Sequence, residues 1–144
     1  MSKRLLLDVN VWIAFFDEGH VHHRTAAQLL ATPDIKIATC PITENGVMRV
    51  LNMPSYGRIG PAGFDTVKNK LQTICDTVDH EFWSDDITLR QAPIDWSRVM
   101  GHNQLTDVYL LALAVAHGGC LTSFDHRIAL STITTATAAH LRLI

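Results

Sequence analysis

Short apolar runs alternate along this chain with longer stretches whose apolar positions recur every three or four residues. Leu5-Leu6-Leu7, flanked by Arg4 and Val9, is a continuous apolar run of the kind found in strands covered on both faces. Asp8 and Asn10 end it. Val11 to Phe16 predicts a short helix, cut by Asp17-Glu18-Gly19. His20 to Ala31 predicts a second, with Val21, Ala26, Leu29 and Leu30 on one face and Pro33-Asp34 as its stop. Ile35 to Thr39 alternates and then turns apolar, so it reads as a second strand. Pro41 suits the first position of the helix that follows, which carries Ile42, Val47, Val50 and Leu51.

Tyr56 to Pro61 reads as a glycine-containing loop, Phe64 to Val78 as a helix and His80 to Trp83 as a third strand. Ser84 to Gln104 is mixed, with a short helix expected from Ile94 to Met100. Leu105 to His117 is a strong helix closed by Gly118-Gly119. Cys120 to Phe124 is a fourth strand, and Leu141 to Ile144 a last one. Strands alternating with helices of ten or more residues predict an α/β fold: a central parallel sheet of four or five strands flanked by helices, in one domain over residues 1–144.

Composition narrows the class only slightly. The chain is 47% hydrophobic and 18% charged, which is ordinary for a soluble protein. A formal charge of −2 means that any contact with nucleic acid must come from a local patch. Cys40, Cys75 and Cys120 are odd in number and widely spaced, which fits reduced thiols in the cytoplasm and not a disulfide frame or a zinc site. The apolar stretch from Leu5 to Phe16 is too short, and too polar at Asp8 and Asn10, to span a membrane.

The chemistry sits in four carboxylates, Asp8, Glu44, Asp107 and Asp125, each placed where a strand ends or a helix begins. In a parallel sheet, the loops leaving the strands share the carboxyl edge, where open α/β sheets bind ligands. Eleven helical residues from Asp107 to His117 descend ~16 Å. Five strand residues from Cys120 to Phe124 climb back ~17 Å, so Asp125 returns to the height of Asp107. Each carboxylate also has a plain structural reading. Asp8 and Asn10 would cap the next helix, Glu44 and Asp107 would complement helix dipoles with Thr106 as N-cap, and Asp125 would form an Asx turn. Four such caps at one edge make a site the better reading. Like charges that close need a cation among them. Oxygen ligands without cysteine or a fixed histidine favour Mg²⁺ or Mn²⁺, with phosphodiester hydrolysis as the reaction class.

Several other residues carry weaker signals. His20, His22 and His23 resemble a metal tract but lack a fourth ligand, so a solvated helix start is expected. His102 reads as a loop hydrogen bonder. Arg49 and Arg127 lie near the expected pocket, while Lys3 and Arg4 belong at the opposite edge and are expected only to be solvated. Trp12, Phe15 and Phe16 exceed what so short a helix buries, which points to core packing or to a partner contact.

Taken together, Leu-Leu-Asp8-Val-Asn10-Val-Trp-Ile-Ala with His20-x-His22-His23, Thr43-Glu44-Asn-Gly46-x-x-Arg49-Val-Leu, Leu-Thr106-Asp107-x-Tyr-Leu-Leu-Ala-Leu-Ala and Thr-x-Phe124-Asp125 resemble the PIN-domain ribonucleases. The match is to their VapC toxin branch, and it runs from Leu5 to about Arg127. The resemblance implies a parallel sheet flanked by helices and a metal-dependent endoribonuclease cutting structured RNA such as tRNA or rRNA. It also implies a homodimer and a small VapB-like antitoxin. By position it assigns Asp8, Glu44, Asp107 and Asp125 to the acidic metal pocket, and Asn10 and Thr106 to polar positions that orient the ligands. Two alternatives stand beside it. A phosphatase or phosphotransferase with Asp8 as nucleophile would want an aspartate where Asn10 stands, and a non-catalytic binding module would not need the acidic quartet.

Overall fold

A computed structural model describes residues 3–56 and 62–144. Of the loop expected over Tyr56 to Pro61, residues 57–61 lie outside the described residues. Five strands form one sheet: β1 (Leu5–Leu7), β2 (Lys36–Thr39), β3 (Asp79–Phe82), β4 (Cys120–Ser123) and β5 (Leu141–Leu143). All neighbouring pairs are parallel, in the order β3-β2-β1-β4-β5. The chain thus builds outward from β1 through β2 to β3, then crosses to the other side of β1 for β4 and β5. The order reverses between β1 and β4, and crevices for ligands open at such reversals.

Five α-helices cover the sheet: α1 (Val9–Phe16), α2 (His23–Leu30), α3 (Pro41–Leu51), α4 (Phe64–Thr77) and α5 (Leu105–Ala116). Strand alternation decides which strand side chains meet which helices. Leu5, Leu7 and Ile37 pack with residues of α1 to α4, including Trp12, Val47 and Val67. Leu6, Ala38 and Leu121 face the other way, onto Leu110, Leu111 and Leu113 of α5. A strand packed on both faces needs apolar side chains at every position, hence the unbroken leucines of β1.

Helix boundaries moved where capping chemistry outweighed apolar period. The first helix starts at Val9, two residues earlier than expected, because Asp8 takes the N-cap and its side chain accepts the Val9 amide. The second starts only at His23. Before it, the His22 amide donates to Nδ1 of His20, and that turn replaces a first helical turn. The fifth starts at Leu105 with Gln104 as N-cap, so Thr106 lies inside the helix and is not its cap. That helix ends as anticipated: Gly118 adopts φ +67°, Gly118 N donates to the Val115 carbonyl, and Gly119 N reaches back to Ala114. The stretch before α5 holds two short 3-10 turns, Trp96–Arg98 and His102–Gln104, and a bridge from Ile94 to Ile133, in place of a longer helix.

Arg4 is not merely solvated. Its guanidinium donates to the Ile37 and Asp79 carbonyls, both at 3.0 Å, and pairs with Asp79 at 2.9 Å and Glu81 at 3.3 Å. It staples β1 to the outer strand β3 across β2, at the edge away from Asp8. No described helix is long and apolar enough to cross a membrane.

Candidate active site

Asp8 closes β1. Its amide still belongs to the ladder, donating to the Thr122 carbonyl at 2.9 Å, while its side chain is buried at 7% exposure. Two hydrogen bonds hold it. Val9 N donates to Oδ1 and the Ser123 hydroxyl donates to Oδ2, both at 2.7 Å. Burial pushes its carboxyl above the usual range, and the nearby Asp125 charge adds to the rise, against the lowering by Ser123 and Val9.

Ser123, the last residue of β4, is the hub. Its oxygen accepts from Asn10 Nδ2 at 3.0 Å and from Asp125 N at 3.0 Å while donating to Asp8. Asn10 Oδ1 accepts the Phe124 amide at 3.2 Å. One buried hydroxyl therefore aligns the ends of β1 and β4, the two strands between which the sheet order reverses. In the motif Thr-x-Phe124-Asp125, Ser123 occupied the unspecified position. Its only sequence signal was a small polar residue at the end of an otherwise apolar strand.

Asp107 enters from above on the first turn of α5. Burial, then the charges of Asp8 and Asp125, push its carboxyl up to about 6, against a lowering by Arg127. Three carboxylates thus share one electrostatic neighbourhood, Asp107 and Asp125 being the pair that the strand-and-helix arithmetic set at one height. Asp125 itself is held below the usual range because the Arg127 guanidinium grips it at 3.0 and 3.1 Å. Arg127, one of two arginines expected near the pocket, is thus engaged with a carboxylate, while Arg49 is exposed on α3. Asp107, Asp125, Arg127, Asn103 and Gln104 line an open cleft of ≈ 560 Å³ including its mouth.

Glu44 takes a different place. It lies in the first turn of α3, and its Oε2 accepts the Thr39 hydroxyl at 2.7 Å. The same hydroxyl lies 2.8 Å from His80 Nε2. Burial lowers the pKa of His80, with Glu44 opposing that shift and Arg4 reinforcing it. Its carboxylate is therefore engaged on the β2–β3 side and not with the other three. What keeps its helix close is Gly46: a Cβ there would come 2.5 Å from Val9 Cγ2, at the start of α1. Thr106 is exposed and lines a separate depression with Ile42, Asp85 and Tyr109.

The carboxylates at this edge offer oxygen, with Asp125 already paired to Arg127, and the raised carboxyls of Asp8 and Asp107 mark excess negative charge that a cation would relieve. Among the described residues, no three His, Cys, Asp or Glu side chains are grouped so that together they could hold a metal ion. Mg²⁺ does not need such a group, because it keeps several waters and binds through one or two carboxylates. The residues fit a hard divalent ion.

The fold and this acidic sheet edge define a PIN-type domain, and the PIN domain family profile matches residues 5–131. Ribonuclease VapC44 of Mycobacterium tuberculosis is 41% identical over 140 residues, spanning 96% of this chain and 97% of that protein. Ribonuclease VapC29 of the same organism is 38% identical over 125 residues, 87% and 88% of the two chains. The chain belongs to the VapC family of PIN-domain proteins. A solved structure of VapBC2 from Rickettsia felis, bound to a DNA fragment from its promoter, shares the fold. Its TM-score is 0.53 at 15% identity, covering 85% of this chain and 88% of that one.

Proposed function

We propose that this chain, as a single nuclease domain over residues 1–144, is a Mg²⁺- or Mn²⁺-dependent endoribonuclease. In this reading it is the toxin of a VapBC-type pair and hydrolyses phosphodiester bonds in structured RNA, tRNA or rRNA. The observation that carries the reading is the crowding of Asp8, Asp107 and Asp125 where β1 and β4 part, with Asp107 raised to about 6 by burial and by its two neighbours. Family membership supports it, since the relatives are named as ribonucleases. The printed name of the Rickettsia felis assembly supports a small antitoxin as partner. A homodimer and a cytoplasmic location complete the proposal.

Asp8, Asp107 and Asp125 would hold the ion, and Glu44 would hold it or orient water. Asn10 acts through Ser123 to keep Asp8 in place, and Thr106 stands beside Asp107 on the first turn of α5. A bound divalent ion would supply an acidified water and positive charge against the oxygens of the reacting phosphate. Water oxygen attacks phosphorus and the bond to the 3′ oxygen breaks. The 3′ oxygen takes up a proton, leaving 5′-phosphate and 3′-hydroxyl ends. A phospho-aspartate on Asp8 lacks the second aspartate that such chemistry wants, since the residue two positions on is an amide committed to Ser123 and Phe124.

Purified protein should cleave RNA with Mn²⁺, stop with EDTA and fail as Asp8→Asn. Equal cleavage by Asp8→Asn would sink the assignment. Sequencing the 5′ ends of RNA fragments after induced expression, unsubstituted chain against Asp8→Asn, would name the target.

A further inference from the structure

Of the three histidines at the start of α2, two have ring nitrogens bonded within the fold and one does not. His20 Nδ1 accepts the His22 amide at 3.0 Å, closing the turn. His23 Nδ1 lies 2.9 Å from the Ala14 carbonyl and ties α2 to α1. His22 stands at the N-cap of α2 yet makes no side-chain cap bond. Its ring instead lies flat on Phe124, with centroids 4.5 Å apart and planes 14° from parallel. His22 is exposed and Phe124 half-buried. The His20 ring approaches it as well, with centroids 5.7 Å apart and planes tilted by 42°, and the part of the His22 ring that Phe124 and His20 leave uncovered faces solvent.

Phe124 is not a free surface aromatic. It lies between Ser123 and Asp125, and its amide is fixed by Asn10 Oδ1, within the network that fixes Asp8 and Asp125. The His22–Phe124 stack is therefore held in register with the acidic edge, one residue from Asp125 along the backbone. The open cleft lined by Asp107 and Arg127 also borders Asp125. A solvent-facing ring, braced by a second ring and mounted beside a phosphodiester-cutting site, has the form of a nucleobase platform. Unpaired RNA bases stack on aromatic and histidine rings in this way.

We propose that His22, backed by Phe124, is a stacking platform for an unpaired RNA base next to the cleaved phosphodiester. The proposal rests on the ribonuclease reading above. It makes His22 a substrate-binding residue, and it explains why this imidazole stacks on Phe124 and leaves the cap unmade.

The test measures Mn²⁺-dependent cleavage of total cellular RNA against RNA concentration for the unsubstituted chain, His22→Asn and His22→Phe. Asparagine is a favoured N-cap residue, so His22→Asn removes the ring while supporting the helix, and a thermal midpoint checks folding. The expected result is a half-saturating RNA concentration raised ~5- to 150-fold in His22→Asn, the range for losing one stacked base. The maximal rate should change by less than about two-fold, and His22→Phe should recover most of the affinity. Unchanged half-saturation in His22→Asn, or a loss confined to the maximal rate that His22→Phe does not rescue, overturns the platform while the ribonuclease reading stands. No cleavage of total RNA by the unsubstituted chain removes that reading, and the platform with it.

Discussion

The Ser123 hydroxyl donates to Asp8 Oδ2 at 2.7 Å, joining residues 115 positions apart at the point where the two central strands of the sheet diverge. The bond fixes a buried carboxylate whose burial favours its neutral form, and it offsets part of that rise. It also makes a residue with no acid–base chemistry of its own responsible for the geometry of Asp8, Asn10 and Asp125.

Ser123→Ala should therefore weaken both stability and cleavage. Removing a hydrogen bond to a buried charged group costs about 1–3 kcal/mol, read as a lower urea midpoint at unchanged slope. RNA cleavage should fall at least about ten-fold, since the misplacement reaches Asp8 and Asp125 together. Cleavage at the unsubstituted rate would show that Ser123 has no hold on the site.

Asp107→Asn should separate stability from function. With a native pKa of about 6 against 3.8 for the free group, the folded protein binds its proton first as pH falls. For this group, ΔG of unfolding thus drops as pH rises from about 4 to about 6, and the full penalty remains above that. Discounted for partial exposure, it is on the order of 1–2 kcal/mol. Metal-free Asp107→Asn should be more stable than the unsubstituted chain by this much at pH 7.5 and equal to it near pH 4, while cleaving nothing. Thermal melts in EDTA across that range decide the matter.

Divalent cations should reverse that penalty. At a hundredfold excess over Kd, Mn²⁺ or Mg²⁺ adds about 2.7 kcal/mol to the folded state, seen as a higher melting midpoint at pH 7.5. The shift should vanish in Asp8→Asn and shrink in Asp107→Asn. A midpoint indifferent to both ions would remove the cation from this site.

Gly46 should resist even alanine. Alanine would normally favour a helix interior by about 1 kcal/mol, but here its methyl would meet Val9 Cγ2 at 2.5 Å. Overpacking costs of about 1–3 kcal/mol should make Gly46→Ala net destabilising and lower cleavage by moving Glu44. In a Val9→Ala background, the same change should become neutral or stabilising. Additive effects of the two substitutions would rule out this contact as the reason for the glycine.

Much of the fold was legible because its signals are local. The leucine run of β1, the glycine stop after Ala116 and the alternation of strand and helix each follow from neighbouring residues. Asp107 and Asp125 could be brought to one height by rise per residue alone. The role of Arg4 is not legible locally, because its partners, Ile37, Asp79 and Glu81, are distant in sequence. Ser123 is hidden for the same reason: a strand-end serine carries no mark of the residue it will meet 115 positions away.

Sequence alone thus determined the order of elements, the parallel sheet and the height of the aspartates, because backbone period and rise per residue are properties of short segments. Only the tertiary structure decided how the charges are divided. It set Asp8 on Ser123, His80 against the Thr39 hydroxyl that holds Glu44, and the His22 ring over Phe124. Such pairings depend on strand order and on which face each side chain leaves, and those are settled only when the whole sheet has closed its core.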